Sequence, residues 1–302
     1  MSRDEGLLGN PGAWGSEALF STLGDLGAIH SIGTGSILYD RSFDVDGKLS
    51  ADLRTSTISR TLGIAFAKAR RYEDEKTPHR EDPARSAYVR AYRECERYVS
   101  ASLRTLKTNP EVILTLGVYS ASVALHRLKF TFFPAHLLYQ LRLRFEADAV
   151  ARQLLEQIAW AVAASDCDDA AAIERVQSSK SIGRLRDIAP VAGRLYGLLS
   201  DSTHAGMEHH RAVFSVDDQE RGFVQHGITD WSGSATIMLA LADLWVIAHE
   251  NTQREHLSSL FATDPARNYR PDPNRAFLST TRSLLDEIRA AEAINPSESP
   301  ET

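Results

Sequence analysis

The chain has 302 residues, with 34 Lys or Arg against 40 Asp or Glu and a formal net charge of −6. That balance excludes a general nucleic-acid coat, which needs cations to neutralise phosphate, but it leaves room for a local basic face. The only cysteines, Cys95 and Cys167, form no CxxC pair, which excludes a disulfide framework and a zinc ribbon.

The opening MSRDEGLLGNPGAWG carries early acids, then Gly and Pro, instead of the basic start and apolar run of an export signal. A reducing, cytoplasmic location is therefore expected. Residues 1–48 are rich in Gly and Ser and read as loop with short turns. Within them SIGTGS lacks the Gly-Lys-Ser/Thr ending of a phosphate loop. A helix is predicted from Ser50 to Tyr72, followed by the charged linker EDEKTPHREDP. The next helix, Ala84–Lys107, places Tyr88, Tyr92, Cys95, Val99, Leu103 and Leu106 at three- and four-residue steps, an apolar stripe. Asn109-Pro110 stops it and restarts a helix through Leu128.

Pro134 is expected to open the longest helix, to Ala164, before Asp166–Asp169 break it. Short helices follow at Ala170–Gln177, Ile182–Ile188 and Val191–Ser200, the last two separated by Pro190. RAVFSV and GFVQHG, flanking DDQER within Arg211–Gly227, suit a β-hairpin. Helices Ser232–His256 and Arg275–Ala293 complete the pattern, and the polar residues 295–302 are expected to be disordered. The apolar stretches Val112–Leu125 and Ala235–Ala248 fall short of the roughly 18 residues a spanning helix needs, so no membrane partner is expected. The fold class is all-α, a helical bundle with a small β-hairpin insertion. The segments are 1–48, the N-terminal helices 49–133, the bundle 134–294 and the tail.

Three groups of residues stand out. Arg142 and Glu146 are four apart on the longest predicted helix, which also carries Arg144, Arg152 and Glu156. The stretch YGLLSDSTHAGMEHHR places Asp201 three before His204 and Glu208 four after it, so a continuing helix would put all three on one face, at metal-ligand spacing. Arg90, Arg93, Arg97 and Arg104 share one face of a helix, which reads either as a solvated face or as a phosphate-tracking one for RNA. No Walker sequence, dinucleotide fingerprint, HExxH or Gly-x-Ser-x-Gly elbow is present, and no cofactor is assigned.

A helix bearing RLRFE, followed by YGLLSDSTH, resembles bacterial HEPN-like helical proteins over Pro134–His210. The resemblance implies an α-helical bundle that often dimerises and works in defence or toxin–antitoxin settings. Active members are metal-independent ribonucleases whose motif is an Arg, four to six intervening residues, then a His. The only such pair here is Arg221 and His226, in the predicted hairpin and followed by glycine at position 222. The leading expectation is a HEPN-like protein that binds a partner protein or RNA, as a homodimer. One alternative is a ribonuclease using Arg221 and His226, or His204 with Asp201, the His as general base and the Arg stabilising phosphate charge. The other is a carboxylate–histidine metal enzyme built from Glu146, Glu156, His204 and Glu208.

Overall fold

The structure, a computed structural model, describes residues 26–31, 35–40, several positions between 52 and 59, 64–76, 83–107, 111–140, 142–203, 214–216, 222–224 and 230–294. It divides into two compact units, Met1–Asp82 and Pro83–Thr302. In the first, β1 (Leu26–Ser31) pairs antiparallel with β2 (Gly35–Asp40), Leu26 opposite Asp40. This corrects the loop expected there. Helix α1 (Phe66–Lys76) follows, after Ile64 and Ala65 interrupt the single helix expected from Ser50.

The second unit is the expected all-α bundle with a small hairpin. Its helices are α2 (Pro83–Leu103), α3 (Leu116–Arg127), α4 (Lys129–Gln140), α5 (Arg144–Ser165), α6 (Ala170–Glu174), α7 (Ser178–Ile188), α8 (Val191–Thr203), α9 (Trp231–Thr252) and α10 (Ala276–Ile294). The hairpin is β3 (Phe214–Val216) against β4 (Gly222–Val224), and a second small ribbon joins Thr263–Asp264 to Arg270–Pro271.

Local chemistry explains several boundaries. Pro83 opens α2, where its missing N–H costs nothing. Thr115 caps α3 by accepting from the Val118 amide at 3.2 Å, and Asp230 caps α9 by accepting from the Gly233 amide at 2.7 Å. The helix expected to begin at Pro134 is two helices. Pro134 lies inside α4, and the break comes at Arg142, whose φ of 62° is left-handed backbone that a helix cannot contain. Leu128 keeps right-handed helical angles, and its carbonyl accepts from the Phe132 amide at 2.8 Å, so α3 runs almost unbroken into α4.

Helix α9 is the centre. It packs against α2, α3, α5 and α10 and is buried on nearly every side, as a helix apolar all round must be. Among the described residues it is the one helix long and apolar enough to cross a membrane, and 78% of its apolar window is buried within the protein. Its own Trp245 is fully buried, as are Tyr88, Phe132 and several leucines around it, and each leucine contributes roughly 1.5–3 kcal/mol. The Tyr88, Tyr92, Cys95, Val99 and Leu103 stripe of α2 faces this core.

Several polar side chains in that core are held by partners. Asp243 on α9 accepts from Arg275 at 2.8 and 2.5 Å through a two-pronged pair. Glu250, fully buried, accepts from the amides of Phe261 at 2.6 Å and Thr263 at 2.8 Å. It also accepts from the Ala262 amide at 3.0 Å and the Thr263 hydroxyl at 2.8 Å. Burial raises its carboxyl, and these donors oppose the rise. His249 Nδ1 meets Ser102 Oγ at 3.0 Å, while its Nε2 is buried with no partner among the described residues. Burial, and then the neighbouring His126, lower its pKa to about 3. Gly117 sits too close to the end of α5 to carry a side chain. A Cβ there would lie within 2.9 Å of the Ser165 carbonyl oxygen and closer still to those of Ala164 and Cys167.

Candidate functional site

The two segments that drew notice in the sequence, on α5 and α8, meet. Arg144, Asp148, Arg152 and Glu156 follow at four-residue steps along α5, alternating in sign, on a face turned to α8 and to the start of α9. Arg144 Nη1 donates to Asp230 at 2.9 Å, the same carboxylate that caps α9. Its Nε stands 3.9 Å from Asp148. Asp148 is buried and accepts from the Tyr139 hydroxyl at 2.6 Å and from Ser202. One carboxylate thereby ties α4, α5 and α8 together.

Arg152 uses its whole guanidinium. Nε donates to Glu156 at 3.1 Å, Nη1 to the Thr203 hydroxyl at 3.0 Å and Nη2 to the Tyr196 hydroxyl at 3.1 Å. The group also lies 5.1 Å from the Tyr196 ring centroid, within range for a cation over an aromatic face. Burial, followed by the adjacent Asp148, pushes the Tyr139 phenol well above its usual range, so it stays a proton donor. This junction fixes the last turn of α8 on α5. Its donors and acceptors satisfy one another, which is the chemistry of a positioning network.

The named candidates divide as follows. Glu146 is exposed, which corrects the buried role considered for it. Arg142 lies before α5 begins, so it and Glu146 do not share a helix face. Asp201 is exposed, beside the junction residues Ser202 and Thr203, while Ser200 Oγ is buried with no partner among the described residues. His204, Glu208, Arg221 and His226 lie outside the described residues. Glu156 is engaged by Arg152. Among the described residues no group of three or more His, Cys, Asp or Glu side chains could hold a metal ion. Arg90, Arg93 and Arg97 on α2 and Arg104 just past its end are all exposed, with Arg90 paired to Glu287 of α10 and Arg97 to Glu94.

Sequence reasoning missed Asp148, although the four-residue spacing from Arg144 to Glu156 was legible. It also missed an exposed apolar face. Leu116, Tyr119, Val123 and Phe130 are exposed along α3 and the start of α4, and Ile113 and Leu114 are exposed just before them. Ile113 is 88% exposed and Tyr119 54%. Scattered apolar residues on a surface mean little, but a contiguous set marks a site of interaction. In comparisons with known proteins, the chain matches no family model, no curated protein and no solved structure.

Proposed function

We propose that this chain is a HEPN-like helical protein that acts by binding a partner protein. The observation that carries the reading is the apolar face along α3 and its two flanks, six large hydrophobic side chains from Ile113 to Phe130 left in water while the other side of α3 is core. The family part of the reading draws support from helix α5, which begins within RLRFE and meets YGLLSDST farther along, where Asp148 accepts from Ser202 and Arg152 donates to Tyr196 and Thr203. A protein is preferred to RNA because Glu287 and Glu94 already engage Arg90 and Arg97, which weakens that face as a phosphate track.

The test is gentle purification of the chain from its own cells, with cross-linking and mass spectrometry beside a measurement of nucleic-acid content. The expected result is a protein recovered in fixed ratio and no bound RNA. Recovery of RNA in fixed ratio, with no protein, would overturn the reading.

A further inference from the structure

The exposed face of α3 has a regular geometry. Leu116, Tyr119, Val123, His126 and Phe130 step by three, four, three and four residues, the spacing of a seam that packs against another helix. At 3.6 residues per turn the four exposed members fall within about 60° of one another. Gly117, Ala121, Leu125 and Leu128, all buried, lie on the opposite side. The seam runs roughly 21 Å from Leu116 to Phe130, four turns of helix.

Its charge is one-sided. From Val112 to Phe145 there is no acidic residue, although the whole chain holds 40. The same stretch carries Arg127, Lys129, Arg142 and Arg144. Arg127 is exposed at the end of the seam, and Lys129 Nζ sits 5.8 Å from the Phe130 ring centroid. A partner laid on this seam meets apolar side chains along its middle and cations at one end.

Resting on the reading above, we infer that the α3 seam docks an amphipathic helix of a partner protein, with apolar residues at three- and four-residue spacing and carboxylates flanking them where it passes Arg127 and Lys129. A narrow seam of this spacing suits a helix better than a lipid surface, which rewards a broad apolar face. The cationic end favours acids in the partner.

The probe is a labelled 21-residue helical peptide with Leu at the seam positions and Glu beside them, used below the concentration at which it self-associates. Its twin carries Lys in place of Glu. Fluorescence anisotropy should show saturable binding of the Glu peptide, at least ten-fold weaker binding of the Lys peptide, and at least ten-fold loss for the Val123→Glu protein. Arg127→Glu should narrow or reverse the preference between the peptides. Circular dichroism checks that both variants fold, which their exposure favours. Equal binding of the two peptides, or binding indifferent to Val123→Glu, overturns the inference. So does a dimer that Val123→Glu dissociates, which would give the seam to a second copy. Sedimentation with phosphatidylserine-containing vesicles, lost in the same variant while the peptides fail, would give it to lipid. If the peptides fail and a co-purifying protein is retained by Val123→Glu, the seam assignment alone falls. If no protein co-purifies at all, the reading beneath it falls.

Discussion

Glu250 and Asp148 are both buried carboxylates on long core helices, and they are satisfied in opposite ways. Glu250 takes its hydrogen bonds mainly from consecutive backbone amides, Phe261 to Thr263. Asp148 takes its own from side chains on two other helices, Tyr139 and Ser202, with Arg144 nearby. The first arrangement dictates the path of a loop, since the amides belong to the chain whatever its side chains are. The second dictates how helices sit against one another, and each partner can be changed alone. A buried carboxylate in this bundle is thus either a brace for backbone or a junction between packed elements.

The largest expected effect comes from Glu250→Ala, which strands three amides and a hydroxyl in the core. It should destabilise the protein by about 3–5 kcal/mol. Hydrogen exchange should show residues 257–264 losing protection before the bundle does. A cost below about 1 kcal/mol would mean that water replaces the carboxylate, and the contrast with Asp148 would collapse. Asp148→Asn should cost less, about 1–2 kcal/mol by chemical denaturation, because an amide still accepts from Tyr139. A double-mutant cycle with Ser202→Ala should show coupling, and strict additivity would remove Ser202 from the junction.

His249 sharpens the comparison, because it is buried without a full set of partners. Its folded pKa of about 3 lies below the ordinary 6.5, so the unfolded chain binds the proton first. Stability should fall as pH drops from about 6.5 toward about 3, by at most about 1.4 kcal/mol per unit. Glu96 works the other way. Burial raises its carboxyl to about 7, so its contribution falls as pH rises through about 4.5 to 7. The clean measurement is the difference in stability between wild type and His249→Gln against pH. A flat difference curve would show that His249 is not buried neutral. The smallest effect belongs to Val123→Glu, expected to change stability by less than about 0.5 kcal/mol because its side chain is half in water.

How much of this was legible follows from where the signals come from. The stripes of α2, α9 and α10 are long and regular, and periodicity placed them within a few residues. The hairpin at Phe214–Val224 was equally plain from two apolar runs around DDQER. Arg142 left no trace, because nothing in an arginine announces left-handed backbone, while Pro134 announced a boundary that the helix absorbs. That error shifted the register of α5, and with it the choice of Arg142 and Glu146 over Arg144 and Asp148. Glycine hid the first hairpin, since LGAIHS and GSILYD are strands whose apolar alternation is brief. The seam of α3 was readable as apolar, but which half faced the core was not, since both faces hold hydrophobic residues.

Gly117 has a consequence for the history of this helix. The C-terminal carbonyls of α5 leave no room for a Cβ, so position 117 should stay glycine in any descendant that keeps the bundle. Two and six residues on, Tyr119 and Val123 are half in water, where a change of side chain costs the fold little. A saturation library screened for folding alone should therefore return one residue at 117 and almost any at 119 and 123. Screened for partner capture, the same library should close at all three, two clocks running at different rates within two turns of one helix.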